Sequence, residues 1–387
     1  MPLTLPPGVT AAPLTADLTA ILTGPRVVDF RFDLLDHNEG VLGALDAVQP
    51  TGSLQWDYSA AIKASGTITV TDLDQSIDWL NTRVRPVMLL EGADTADTGA
   101  TEIPLGIYIP SAPVEKWTST GRTWNVELLD KNCLLDQNIM MDANGNPTHY
   151  TVTAGTNVIA AVKSIIGYLG ESVAAIGPDT KTLLHDMTWD MGTTLLKIVN
   201  DLLDTSTYFS LWVDGAGQYR CSPFVDASAR TPVYALATPF TKGDLSLMSP
   251  TWERDRDIYS IPNRYVAIAQ GSGTTPAMTS VATNTDPLSP YSYANRGNRW
   301  ITTVLTGAQA TTQADLDAIA RRGLTDLTAV ANMIKVDHLY LPDVQVNAVV
   351  NFVNPDAGLN ILTYVTTTTV PFDPVALCST ELRQVGT

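Results

Sequence analysis

Four histidines, His37, His149, His185 and His338, and three cysteines, Cys133, Cys221 and Cys378, are the candidates for metal binding and nucleophilic chemistry. No histidine has a partner two or four residues away, and no cysteine sits in a CxxC. A zinc site needs several neutral imidazoles or thiolates converging on one ion, so each histidine is expected as a surface residue or a satisfied core residue. The odd number and wide spacing of the cysteines point to reduced, buried thiols rather than a disulfide framework. Cys133 could act as a nucleophile with His149 or His185 only as a thiolate. Its run, LLDKNCLLDQ, reads as buried, where a thiol is inert.

Two short motifs imitate ligand loops. Gly271–Pro276 (GSGTTP) copies half of a GxGxxG, but Pro276 stands where the third glycine belongs and no helix opens there, so it reads as a loop. Asp142–Pro147 (DANGNP) opens like a calcium loop, then has Pro147 where glycine is needed and Thr153 where the bidentate glutamate is needed. Asn144-Gly145 is better read as a turn. GxSxG, Walker A and HExxH patterns are absent. Carboxylates are plentiful, but a glycosidase pair is defined by separation in space, so most are expected as caps, turns and solvated surface. The eight tryptophans, Trp56, Trp79, Trp117, Trp124, Trp189, Trp212, Trp252 and Trp300, would suit carbohydrate binding, yet several lie in phase with strand cores and read as core or subunit interface. The expectation is therefore no catalytic, cofactor-binding or metal site, and no cofactor.

The chain that must position these residues has 387 of them, 44% hydrophobic and 16% charged, with a formal charge of −17. It can bury a sizeable core, which excludes global disorder. Forty acidic residues against twenty-three basic ones, with no dense Lys/Arg cluster, argue against tight binding to DNA or an anionic membrane. No apolar run approaches the ~18 residues of a membrane span. The N-terminus lacks the basic region and compact apolar core of a signal peptide. A soluble, unanchored protein made in the cytoplasm is expected.

Hydrophobic periodicity gives a mainly β chain with an α+β insert: two β-rich regions, the first read as an antiparallel barrel or sandwich, flanking a small helix-helix-hairpin domain. Residues 1–25, rich in Pro, Thr and Ala, read as an N-terminal arm with a short helix around Ala16–Leu22. Residues 26–137 form the first β domain, with period-2 runs VVDFRFDLLD, SLQWDYSAAI, GTITVTD, RPVMLLEG, EIPLGIYIP and RTWNVELLD. Residues 138–228 change period. A helix is predicted over Asn157–Leu169 and a second from about Met191 to Leu203 with Asp190 as N-cap, followed by a hairpin turning at Asp214–Gly217. Residues 229–387 return to strands: NRYVAIAQG, then a loop over 271–299, a helix at about 312–331 opened by a Thr312/Asp315 capping box, then HLYLPDVQV, AVVNFV, NILTYVTTTTV and a strand near Thr380–Val385.

The order of these pieces resembles the phage tail hub or minor tail protein family, related to the baseplate hub and the front part of tail-associated lysins. The pieces are a PLG strand (Pro104-Leu105-Gly106) and a strand ending in LLDK (Leu128-Leu129-Asp130-Lys131). They continue with the Gly155-Thr156 helix, the block Trp189–Leu195, the YFSLWVDGAGQYRCSP hairpin, ADLDAIARRGL, HLYLPDVQVNAVV and TYVTTTT. The family often has Gly-Asp before its last strand pair; here Pro342-Asp343 stands nearest. Relatives often continue into a lysin or receptor-binding part, whereas this chain stops at Thr387 after the last predicted strand, so a hub without an attached enzyme is expected.

The resemblance implies a non-enzymatic virion protein at the tail tip, made in the bacterial host cytoplasm. It implies two β-barrel-like domains per chain, which in a trimer build a pseudo-sixfold ring against the tail tube. The expected partners are further copies of the chain, the distal tail protein, tail tube subunits and other tail-tip or receptor-binding proteins. DNA is expected only as passing cargo during genome ejection, with an acidic lumen repelling its phosphates; no membrane anchor is expected. The competing readings are a cell-wall or polysaccharide hydrolase on the same particle and a carbohydrate-binding receptor-binding protein.

Overall fold

The computed structural model describes residues 21–22, 24–72, 77–92, 100–118, 121–237, 248–255, 261–270, 276–308, 310, 312–329, 333–342 and 344–385. Most of the helix expected around Ala16–Leu22 lies outside them, as do Gly271–Thr275 of the GSGTTP loop and Val330 of the last helix.

Alternating apolar residues make the first strands: β1 (Arg26–Leu35), β2 (Val41–Ala44), β3 (Val48–Asp57), β4 (Ala64–Asp72), β5 (Arg83–Gly92), β6 (Thr101–Pro104), β7 (Tyr108–Thr118) and β8 (Gly121–Asp130). Phe32, Leu54, Ile68, Val126 and Leu128 point to one buried face, as period-2 pleating requires. The EIPLGIYIP run was expected as a single strand. It is two, because Gly106 takes φ +125° and breaks the pleat between β6 and β7.

The insert follows. A short helix α1 (Asn132–Asp136) leads to β9 (Tyr150–Val152), α2 (Val158–Tyr168), β10 (Met187–Trp189), α3 (Leu195–Thr205) and the hairpin β11 (Trp212–Val213) and β12 (Tyr219–Arg220). The Asn157 side chain caps α2 by accepting from Ala160 N. The second helix starts four residues later than expected: Thr194, not Asp190, is the N-cap, and its hydroxyl accepts from Lys197 N. Gly192 at φ +87° keeps the preceding residues in a turn. Ile165, Ile166, Leu195, Val199 and Leu202 are fully buried in a core that belongs to this unit.

Beyond it come β13 (Tyr234–Ala237), β14 (Met248–Asp255), β15 (Arg264–Ala269), β16 (Met278–Thr283), β17 (Thr302–Thr306), α4 (Gln313–Ala329), β18 (Met333–His338), β19 (Val349–Asn354), β20 (Leu359–Pro371) and β21 (Cys378–Gln384). The Thr312/Asp315 box is formed: Thr312 N donates to Asp315 and Asp315 N to Thr312 Oγ1. Beyond His338, which ends β18, the described residues of HLYLPDVQV form no strand. Pro342 cannot donate to a ladder, Val344 N turns back to Leu341 O, and Asn347 takes φ +69°. A strand, β16, lies inside the segment expected as a loop.

The two β regions expected as separate barrel-like domains share one 14-stranded sheet, ordered β14-β18-β21-β20-β3-β4-β8-β7-β5-β1-β2, with β13, β19 and β6 alongside. The join is β20. At 13 residues it is about 40 Å long. Its first half pairs with β19 and its second half with β3, Val370 opposite Leu54. One core runs through both regions, from Ile68 and Val126 to Phe352, Val365 and Leu382. The sheet is not closed: no pairing among the described residues joins β2 to β14. A three-stranded sheet, β16-β15-β17, stands apart and packs on α4. No helix among the described residues is long and apolar enough to cross a membrane.

Candidate functional site

The residues with reactive side chains are dispersed. His338 is buried, its ring between Leu339 O at 2.7 Å and Thr380 Oγ1 at 2.8 Å, and burial lowers its pKa. His149 lies on the surface 3.7 Å from Asp190. All three cysteines are free; burial pushes the Cys133 and Cys378 thiols up to about 12 and Cys221 to about 11. Among the described residues no three His, Cys, Asp or Glu side chains group as metal ligands. In the DANGNP segment, Asp142 Oδ1 accepts from Asn144 N and Asn146 N, both at 2.8 Å, which closes a surface turn. Trp79 and Trp189 are buried, whereas Trp117 is 73% exposed beside Arg122.

Three sequence pieces far apart in the chain do converge: PLG at 104–106, LLDK at 128–131 and the hairpin turn at 214–217. Asp214 builds the turn, accepting from Ala216 N and Gln218 N at 2.9 Å and from Arg220 Nε at 2.7 Å. The turn sits against the sheet so closely that only glycines fit. A Cβ on Gly215 would lie 2.6 Å from Pro104 O, and one on Gly217, already at φ +77°, 2.5 Å from the Ile107 side chain.

Beside this contact lies a buried charge cluster. Lys131, 1% exposed, reaches Glu39 Oε1 at 2.5 Å, Glu171 Oε2 at 2.6 Å and Gly217 O at 3.1 Å. Arg83 bridges the same two carboxylates, at 2.6 Å to Glu171 and 3.2 Å to Glu39. Tyr219 donates its hydroxyl to Lys131 O at 2.7 Å, and the Lys131 ammonium lies 5.2 Å from that ring's centroid. Arg83 lies on β5, Glu39 in the turn between β1 and β2, and Lys131 directly after β8; Glu171, Gly217 and Tyr219 come from the insert. Burial alone would raise the Glu171 carboxyl, but hydrogen bonds from Arg83 and Lys131 outweigh it and hold the group below its usual range. Glu39 occupies the left-handed region at φ 67°. A non-glycine residue there costs roughly 1–3 kcal/mol and persists where its surroundings hold it, as two cations do here.

The preceding residue, Asp130, serves the sheet. Its carboxylate accepts from Ala64 N at 2.7 Å and Asn132 N at 2.8 Å. Burial pushes it up to about 6, with those N–H groups pulling the other way. Across the same junction opens a cavity of about 110 Å³, with Trp56, Tyr58, Lys63, Leu105, Phe209 and Trp212 among its walls. Burial brings the Lys63 ammonium down to about 8; it donates to Tyr58 O at 2.7 Å. The cavity is well below the ~300–1,000 Å³ of ordinary small-molecule sites. This arrangement can lock two structural units together. PLG, LLDK and the hairpin were singled out in the sequence, but Glu39, Arg83 and Glu171 were not. Nothing in their spacing pairs them, because their meeting is a property of the tertiary fold.

No protein-family model and no curated protein matches the chain. Solved structures do. The tail protein of Neisseria meningitidis MC58 superposes with a TM-score of 0.61 at 12% identity, over 92% of this chain and 97% of that one. The 43 kDa tail protein of prophage MuSo2 from Shewanella oneidensis gives 0.62 at 11% identity, over 92% and 98%. Prophage tail protein gp18 from Listeria monocytogenes gives 0.54 at 10%, over 91% and 94%. The chain has the fold of these phage tail proteins.

Proposed function

We propose that the chain is a structural protein of the phage tail tip. In this reading it is a baseplate hub that closes or extends the tail tube, connects it to tip and receptor-binding proteins, and performs no catalysis. The observation that carries this reading is the likeness to phage tail proteins along 92% of the chain. The buried cluster of Lys131 and Arg83 with Glu39 and Glu171, a clasp between sheet and insert, supports it, since a part that bears load in an assembly needs its units fixed to one another. The parts of the hub are the arm (1–25), the β regions 26–137 and 229–387, and the α+β unit 138–228. Copies of the chain assemble as a trimer that meets the distal tail protein and tube subunits. The excess acid is concentrated in residues 26–137, which hold seventeen acidic and eight basic residues. Facing the lumen, these would let DNA pass without adhering. Antibodies raised against the purified chain test the placement. They should decorate one end of the tails of virions that carry it, seen by electron microscopy; decoration along the tail shaft or on the capsid would refute it.

A further inference from the structure

Among the described residues, the three-stranded sheet β16-β15-β17 is covered on one face only. Ala267, Ala269 and Ala282 pack with Leu316 and Ala320 of α4, and Ser280 donates to Asp317 at 2.6 Å. The opposite face carries a row of valines in register, Val281, Val266 and Val304. Val281 is 55% exposed and Val304 52%. The end of this row is basic and aromatic: the Arg264 guanidinium lies 4.9 Å from the Trp300 ring centroid, and Trp300 stacks on Tyr293 at 4.3 Å. The loop bearing these rings is fixed by its own bonds, with Asn295 Nδ2 donating to Pro287 O and Ser289 O, and Ile301 N to Asn263 Oδ1. Residues 261–308 hold Arg264, Arg296 and Arg299 against a single acid, Asp286, in a chain of charge −17.

The outer face of β1-β5-β6 has the opposite character. Val27, 64% exposed, stands across from Glu91, and Asp29 across from Leu89. Asp29 and Glu91 make no ion pair among the described residues, unlike Glu102, which Arg31 neutralises at 2.6 Å.

We propose that the valine–arginine face of β16-β15-β17 docks on the valine–acid face of β1-β5-β6 in a second copy of this chain. The first face exposes Val281 and Val304 beside half-buried Val266, and the second exposes Val27 beside half-buried Leu89, so the two can stack ~10 Å apart as sheet faces do. Their charges are complementary, which sets orientation and speeds encounter. The two faces differ, so the contact is heterologous: each copy offers one of each, and the chain of contacts closes a ring where the rotation allows. This inference rests on the homo-oligomeric reading above.

Sedimentation of the full chain tests it across protein and salt concentration, with circular dichroism confirming that each variant folds. Wild type should self-associate more weakly as salt rises. R264E/R299E should weaken association at least tenfold, as should D29K/E91K, and the chain carrying all four changes should recover it. R299E alone, at an exposed loop position, should give a smaller loss of the same sign. Association unchanged in both double variants would overturn this interface and leave the oligomer standing. A wild type that stays monomeric under every condition would overturn both.

Discussion

Lys131 shows how a residue chosen for its chemistry can be spent on architecture. A cation 1% exposed between two carboxylates and a carbonyl is costly to bury and costlier to unpair. K131M removes the charge while keeping most of the volume, and leaves Glu39 and Glu171 with Arg83 alone. It should lower stability by about 3–5 kcal/mol in urea unfolding. In K131M/E171Q the loss should be smaller than the sum of the single losses, because the two groups share one network. Additive losses would mean that the clasp is not a unit. Its neighbour Asp130 makes a pH-dependent claim. Its carboxyl titrates near 6 in the fold against 3.8 for a free side chain, so the folded state holds that proton more tightly than the unfolded chain. Ionisation therefore costs stability that is fully felt above about pH 6 and vanishes below about pH 4. Relative to D130N, the wild type should gain roughly 2–3 kcal/mol between pH 7 and pH 4. Glu171 titrates in the opposite sense in both proteins, which is why the difference between them is the quantity to measure. A difference independent of pH would contradict the assignment.

At the scale of elements, the hairpin turn against PLG is the contact most sensitive to one added carbon. G215A places a Cβ 2.6 Å from the Pro104 carbonyl oxygen, where backbone has to move. It should cost about 1–3 kcal/mol and speed hydrogen exchange at Asp214–Gln218. G177A, with nothing within 4 Å and no positive φ, should stay within about 0.5 kcal/mol of wild type. Equal effects in the two variants would remove the junction as a packing site. The same elements show what a sequence can reveal. Strands β4 and β8 follow from alternation, because Ile68 and Val70, and Val126 and Leu128, are buried between residues that are not; β1 and β20 each bury four consecutive residues as well. The helix α2 follows from its apolar stripe and Asn157 cap. The break at Gly106 escaped because Ile103 and Leu105 stay in phase up to it. The strand expected at HLYLPDVQV was misread because its apolar residues alternate through a turn that Pro342 imposes. The four residues of β2 are all exposed, so they carry no burial pattern to read.

At the scale of the whole molecule, the joining of both β regions into one sheet was not legible. It depends on β20 reaching β3 across most of the chain, and no local pattern encodes a partner that distant. The clasp residues were hidden for the same reason, whereas the motif order that led to the tail-protein fold was legible because each piece is local. Assembly into a hub is tested most directly by native mass together with negative-stain class averages of the purified chain. Three copies in a threefold ring with a central opening are what this account predicts. A monodisperse monomer at every concentration would contradict it, as would a closed particle without an opening.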